Sequence, residues 1–121
     1  MTGRRILIIE DEAIVAESLV LALRTMGEDV AGMAATVEQA LTLIDSTSDV
    51  DGALLDINLR GVRAYSVADR LMARGLPFIF TTGYSTPIIP EVYRHVPVLQ
   101  KPFDLEEVLS ALFPRAAGAS D

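Results

Sequence analysis

One lysine and three carboxylates stand where this 121-residue chain could do chemistry. Lys101, the only lysine, precedes a proline at the end of an apolar run, while Glu10 with Asp11, and Asp56, end two other apolar runs. In an open parallel sheet the carboxyl ends of the strands face a shared crevice, so residues distant in sequence converge there on one ligand. Thr82 closes a further run and would join them. Three carboxylates within a few Å raise one another's pKa unless a cation sits among them. A hard divalent ion answers that need, and Mg2+, or Mn2+ in its place, takes oxygen ligands and keeps several waters. Glu10, Asp11 and Asp56, with the backbone carbonyl of Asn58, are the predicted metal ligands. With the cluster neutralised, one carboxylate can attack phosphorus and form an acyl phosphate. Asp56 is the predicted nucleophile: it stands at a strand tip, before a loop that Gly61 keeps open, whereas the adjacent Glu10 and Asp11 suit a metal better. Lys101, the Thr82 hydroxyl and the backbone N–H of Gly83 would steady the new phosphoryl group.

Positioning these residues requires a sheet, and the hydrophobic pattern supplies one. Five short runs rich in β-branched residues alternate with helical patterns, which predicts an α/β domain with a parallel sheet between helices. The strands are Ile6–Ile9, Asp29–Met33, Gly52–Leu55, Pro77–Thr81 and Val96–Leu99. The first helix carries Val15, Leu19, Ala22 and Met26 on one face until Gly27 stops it, and the second buries Val37, Ala40, Leu41 and Ile44 behind a Thr36/Gln39 capping box. A third helix runs to about Arg74. The last is capped by Asp104 with Glu107, buries Leu105, Val108, Leu109 and Leu112, and ends at Pro114. Between them, Gly83–His95 contains Pro87 and Pro90, each of which removes a helical hydrogen bond and clashes with the preceding turn. The fourth helix is therefore expected to be short, displaced or mobile. Residues 1–114 form the predicted domain, and the small, polar 115–121 a disordered tail.

Seventeen acidic against ten basic side chains give a formal charge of −7, which repels phosphate backbones, and no basic stripe offsets it; nucleic-acid binding is not expected. The absence of cysteine excludes disulfides and thiolate metal sites and agrees with a reducing cytoplasm. No signal-like start and no apolar segment near the roughly 20 residues of a membrane span is present, so no membrane partner is expected. Glu12 is read as a helix N-terminal charge rather than a ligand, and His95 as a surface residue.

Glu10-Asp11 after Ile-Leu-Ile-Ile, Asp56 after Ala-Leu-Leu, Thr82-Gly83 after Phe-Ile-Phe and Lys101-Pro102-Phe103 together resemble the receiver domain of bacterial two-component response regulators. The resemblance covers the whole chain. It implies a flavodoxin-like (βα)5 three-layer sandwich with strand order 2-1-3-4-5 and a cis Lys101–Pro102 bond. It also implies phosphorylation of Asp56 by a histidine kinase or histidine phosphotransfer protein, and output through altered binding of a downstream protein, with homodimerisation on phosphorylation left open. Receivers usually carry Tyr or Phe three residues before the lysine as a rotamer switch, but here that residue is Val98. Pro77–Tyr84 is instead similar to a receiver subfamily with a Phe-Ala-Thr-Gly-x-Tyr signature, Thr81 replacing the alanine. In that subfamily the fourth helix tends to be mobile, and ordering of Gly83–His95 would replace the aromatic flip. Tyr84 would either shield the acyl phosphate from water or pack on the surface, and the Asn58 side chain would influence hydrolysis. Two alternatives remain. The chain could be a receiver excised from a longer regulator, or a small phosphatase of the haloacid dehalogenase kind, although that chemistry wants a second aspartate where Asn58 stands.

Overall fold

In the computed structural model, which describes residues 3–83 and 89–114, the predicted runs become strands of one parallel sheet. The elements are β1 (Arg5–Ile9), α1 (Ala13–Thr25), β2 (Asp29–Ala34), α2 (Val37–Ser46), β3 (Gly52–Asp56), β4 (Asn58–Leu59), β5 (Val62–Arg63), α3 (Tyr65–Ala73), β6 (Phe78–Thr82), β7 (Val98–Gln100) and α4 (Leu105–Leu112). The five-stranded sheet has order β2-β1-β3-β6-β7, which counted over its own strands is the predicted flavodoxin-like 2-1-3-4-5.

Successive side chains of a strand point to opposite faces, and both faces here are covered. Leu7 and Ile9 of β1, Ala53 and Leu55 of β3, and Phe78 and Phe80 of β6 pack with Ala40 and Ile44 of α2 and Val67, Ala68 and Leu71 of α3. The alternate residues Ile6, Ile8, Leu54 and Ile79 pack with Ala16 and Leu23 of α1 and Val108 and Leu112 of α4. Continuous apolar strands between two helical layers leave polar groups only at the tips. Because β1 and β3 are neighbours while the chain leaves β1 outward to β2, their carboxyl ends bound the topological switch point where a crevice forms.

Several sequence expectations shift in detail. The buried line of α1 runs through Ala16 and Leu23, and the predicted Val15, Leu19, Ala22 and Met26 are only half-buried. Ile14 and Leu21 face solvent at 81% and 70% exposure, so the helix is apolar on more than one side and its periodicity does not single out a face. Thr36 caps α2 by accepting the Gln39 N–H at 3.1 Å, but the Gln39 side chain accepts from Ala35 at 3.0 Å rather than from Thr36. The Asp104 N–H donates to Glu107 Oε1 at 3.3 Å, and Leu105 and Leu109 are half-buried beside the buried Val108 and Leu112. The last strand starts at Val98 rather than Val96, displaced past Pro97, which has no N–H to give a ladder.

Two features lie in connections. Asn58 and Leu59 pair antiparallel with Arg63 and Val62, forming a small hairpin directly after β3. In the β6–β7 crossover the described residues hold a 3-10 turn at Glu91–Tyr93 in place of a fourth α-helix. Tyr93 is nonetheless buried, stacked on Tyr65 at 5.2 Å, edge-on to Phe80 at 5.9 Å, with its hydroxyl donating to Asp69 Oδ1 at 2.5 Å. Pro87, Tyr84 and the tail 115–121 lie outside the described residues. No described helix is long and apolar enough to cross a membrane.

Candidate functional site

Four strand tips supply the site. Glu10 and Asp11 follow β1, Asp56 is the last residue of β3, Thr82 the last of β6, and Lys101 the first after β7. The register places Asp56 against Thr81 and Thr82 against Gln100, and the Lys101 N–H donates to the Thr82 carbonyl at 2.7 Å. The Lys101–Pro102 bond is cis, as the resemblance implied.

Lys101 Nζ donates to Glu10 Oε1 and to Asp56 Oδ2, each at 2.8 Å. The Asn58 N–H donates to Asp56 Oδ1 at 3.1 Å, so both oxygens of the carboxylate are held. The Glu12 N–H donates to Glu10 Oε2 at 3.0 Å and the Arg60 N–H to Asp11 Oδ2 at 2.8 Å. Glu12 itself is exposed and stands at the N-cap of α1, the place expected for it. Glu10 and Asp56 are buried, with side chains 3% and 8% exposed against 22% for Lys101.

The electrostatics follow from that burial. Loss of water pushes the Glu10 carboxyl up to about 7, against the opposing hydrogen bonds from Lys101 and the Glu12 N–H, and the nearby charge of Asp56 adds to the rise. Burial also works on Asp11, but the Arg60 N–H and its neighbours outweigh it and hold that group below the usual carboxylate range. For Lys101 burial favours the neutral amine, yet its bonds to Asp56 and Glu10 prevail and keep it protonated above its ordinary value. One ammonium thus serves three acids, and negative charge remains for a further cation to neutralise.

The donor set fits a hard divalent ion. One oxygen from each of Glu10, Asp11 and Asp56 lies within 4.8 Å of the others, a spacing one ion can bridge. Asn58 Oδ1 is buried and without a hydrogen-bond partner among the described residues, so an acceptor beside the cluster awaits a donor such as a metal-bound water. Thr82 is buried and Gly83 exposed at the rim, while Tyr84 lies outside the described residues. His95 is exposed, in the turn that follows Glu91–Tyr93.

Sequence reasoning missed the hairpin that borders this crevice. Arg60 and Gly61 both adopt positive φ, +52° and +82°, the pairing of a type I′ turn. Only the glycine announces such a turn; an arginine at the first position carries no signal, so neither the hairpin nor the Arg60 contact with Asp11 was foreseeable.

Comparison with known proteins places the geometry. Residues 6–113 match the family described as the response regulator receiver domain. No curated protein matches the chain. Among solved structures, SdrG from Sphingomonas melonis Fr1 is 38% identical with a TM-score of 0.79, covering 92% of this chain and 97% of that one. The receiver domain of the response regulator PhyR from Erythrobacter litoralis is 26% identical with a TM-score of 0.80, covering 100% and 98%. A BeF3-activated conformation of SdrG is 39% identical with a TM-score of 0.75, covering 93% and 96%. With residues 6–113 matched by that family and SdrG 38% identical over 92% of the chain, the chain belongs to the response regulator receiver domain family.

Proposed function

We propose that Asp56 accepts a phosphoryl group from a histidine kinase or histidine phosphotransfer protein in a Mg2+-dependent reaction, and that the phosphorylated domain signals by binding a downstream protein differently. The observation that carries this reading is the single ammonium 2.8 Å from both Glu10 and Asp56 within a cluster of three converging carboxylates. Glu10, Asp11, Asp56 and the Asn58 carbonyl would hold the ion, with Mn2+ as a substitute. When bound, the ion neutralises the acids and the charge that develops on the phosphoryl oxygens. An Asp56 oxygen then forms the new O–P bond as the donor's P–N bond breaks, the electron pair of that bond returning to the ring nitrogen and the ring taking a proton from solvent to leave as neutral imidazole. Lys101 exchanges its bond to Asp56 for one to the phosphoryl group, Thr82 offers its hydroxyl, and Gly83 its N–H. The Asn58 side chain and Tyr84 would set how readily water reaches the product.

Val98, half-buried against the core, cannot act as an aromatic rotamer switch. The finer reading is membership of the Phe-Ala-Thr-Gly-x-Tyr receivers, cytoplasmic and signalling through ordering of Gly83–His95. Asn58 also stands where a dehalogenase-type phosphatase would need its general acid, which disfavours that alternative. Incubation with acetyl phosphate and Mg2+ tests the assignment: one phosphoryl group, labile to base and absent from Asp56→Asn, is expected. Continuous turnover of a free phosphate ester, or incorporation that survives in Asp56→Asn, would overturn it.

A further inference from the structure

Eight arginines lie among the described residues, and five of them make ion pairs: Arg4 with Glu28, Arg5 with Asp29, Arg70 and Arg74 with Asp45, and Arg94 with Glu91. Arg24, Arg60 and Arg63 have no acidic partner among those residues. Arg24 stands in the last turn of α1, where a cation favours the negative end of the helix. The other two share the β4–β5 hairpin, both exposed, in a chain whose formal charge is −7. Two arginines without an acidic partner among the described residues, on one hairpin whose N–H groups reach Asp11 and Asp56, call for an anion that is not part of the chain.

The hairpin backbone that carries them is firmly anchored. Leu59 beneath it is 1% exposed, Ala64 is fully buried, and the Ala64 N–H donates to the Ile57 carbonyl at 2.8 Å, closing the loop at its base. At the tip Arg60 adopts a left-handed conformation that L-residues with a Cβ rarely take, and its N–H is bonded to Asp11 Oδ2 at 2.8 Å. Arg63 stands directly opposite Asn58, and opposed residues of an antiparallel pair project to the same face. Asn58 in turn contacts Asp56 through its N–H. Both arginines are therefore tied by one backbone step to the acids of the site.

A phosphoryl dianion approaching that site meets three carboxylates and one ammonium. The divalent ion of the proposed reaction cancels that local charge, and the field left to repel the substrate is that of a chain of formal charge −7. We propose that Arg60 and Arg63 form the entry clamp for the phosphodonor, recognising the dianionic phosphoryl group before Asp56 attacks it and setting the rate with anionic donors. This inference rests on the phosphoacceptor reading above. Guanidinium suits the task, since its fork matches phosphate oxygens and it stays charged at every working pH.

The test compares wild type with Arg60→Gln/Arg63→Gln, following phosphorylation by intact mass with acetyl phosphate and, separately, with a phosphohistidine-carrying phosphotransfer protein, at low and high salt. With acetyl phosphate at low salt the second-order rate constant is expected to fall about tenfold, and the gap to shrink to about twofold at high salt, as screening removes steering. The same loss with the protein donor assigns the clamp to the phosphoryl group itself. A loss confined to the protein donor would overturn the proposal in favour of a protein-docking contact. Hydrolysis of the acyl phosphate, which involves no donor, is expected to stay within about twofold of wild type, and Arg60→Lys/Arg63→Lys to restore most of the rate. Equal rates and equal salt dependence in the glutamine variant, or an equal slowing of hydrolysis, would overturn the clamp. Absence of any phosphorylation in wild type would instead remove the phosphoacceptor reading, so the two failures are separable.

Discussion

Glu10→Gln should abolish most of the pH dependence of stability in the metal-free protein between pH 5.5 and 8. Glu10 is buried, its side chain 3% exposed, and its carboxyl is pushed up to about 7 from an ordinary 4.5. Between those values the native state holds a proton that the unfolded chain has released. Stability contributed by this group is therefore full below pH 4.5 and falls as pH rises towards 7. Linkage over that interval gives a loss of about 2 kcal/mol between pH 5.5 and 8, with a ceiling of about 3 kcal/mol. Glutamine resembles the protonated acid, still accepts from Lys101, and does not titrate. In chelator, urea unfolding followed by circular dichroism should show wild type losing roughly that amount from pH 5.5 to 8 while Glu10→Gln stays nearly level. Asp11 and Glu28 do not confound the window. Their carboxyls are held low, so the stability they contribute is present above the ordinary carboxylate range and disappears only as pH falls below it. Mg2+ at about ten times its Kd should add about 1.4 kcal/mol to wild type and much less to the variant, and affinity should rise with pH as Glu10 releases its proton. A wild-type profile that climbs from pH 5.5 to 8 in chelator, or a variant that copies it, would refute the reasoning.

Three further outcomes follow from the same geometry. Lys101→Ala leaves Glu10 and Asp56 facing each other without their cation and should cost about 2–3 kcal/mol at pH 8 in chelator, a loss Mg2+ partly restores; thermal unfolding with and without the metal reads this. Tyr93→Phe removes only the hydroxyl bonded to Asp69 and Tyr65 and should cost about 1–2 kcal/mol in urea unfolding, whereas Tyr93→Ala also empties a core position and should cost about 3–5 kcal/mol. Amide exchange across Gly83–His95 should slow with the phosphoryl mimic beryllofluoride and Mg2+ relative to the free protein; an unchanged pattern would remove the proposed ordering of that segment.

The middle of the sheet was legible because β1, β3 and β6 carry runs of Ile, Leu and Phe buried on both faces, and because polar residues can stand only where such runs end. Glu10, Asp56, Thr82 and Lys101 were thus marked by position as much as by type, and the fold brings Lys101 within hydrogen-bonding distance of two of them. The face of α1 was not legible, since Ile14 and Leu21 spread apolar character around the helix. The β4–β5 hairpin was hidden because two-residue strands have no period and Arg60 does not advertise a left-handed turn. Among the described residues Pro90 precedes a 3-10 turn rather than an α-helix, yet Tyr93, a few residues on, packs into the core, because a single aromatic can be buried by tertiary contacts that no local pattern announces.

Reductive trapping tests the central claim most directly. Wild-type protein incubated with acetyl phosphate and Mg2+, then treated with borohydride, has any aspartyl phosphate converted to homoserine, which tandem mass spectrometry locates. Homoserine at position 56, dependent on both the donor and the metal, is the expected result. Homoserine at position 11, or an unmodified Asp56 under conditions where the protein is folded and binds Mg2+, would contradict the account.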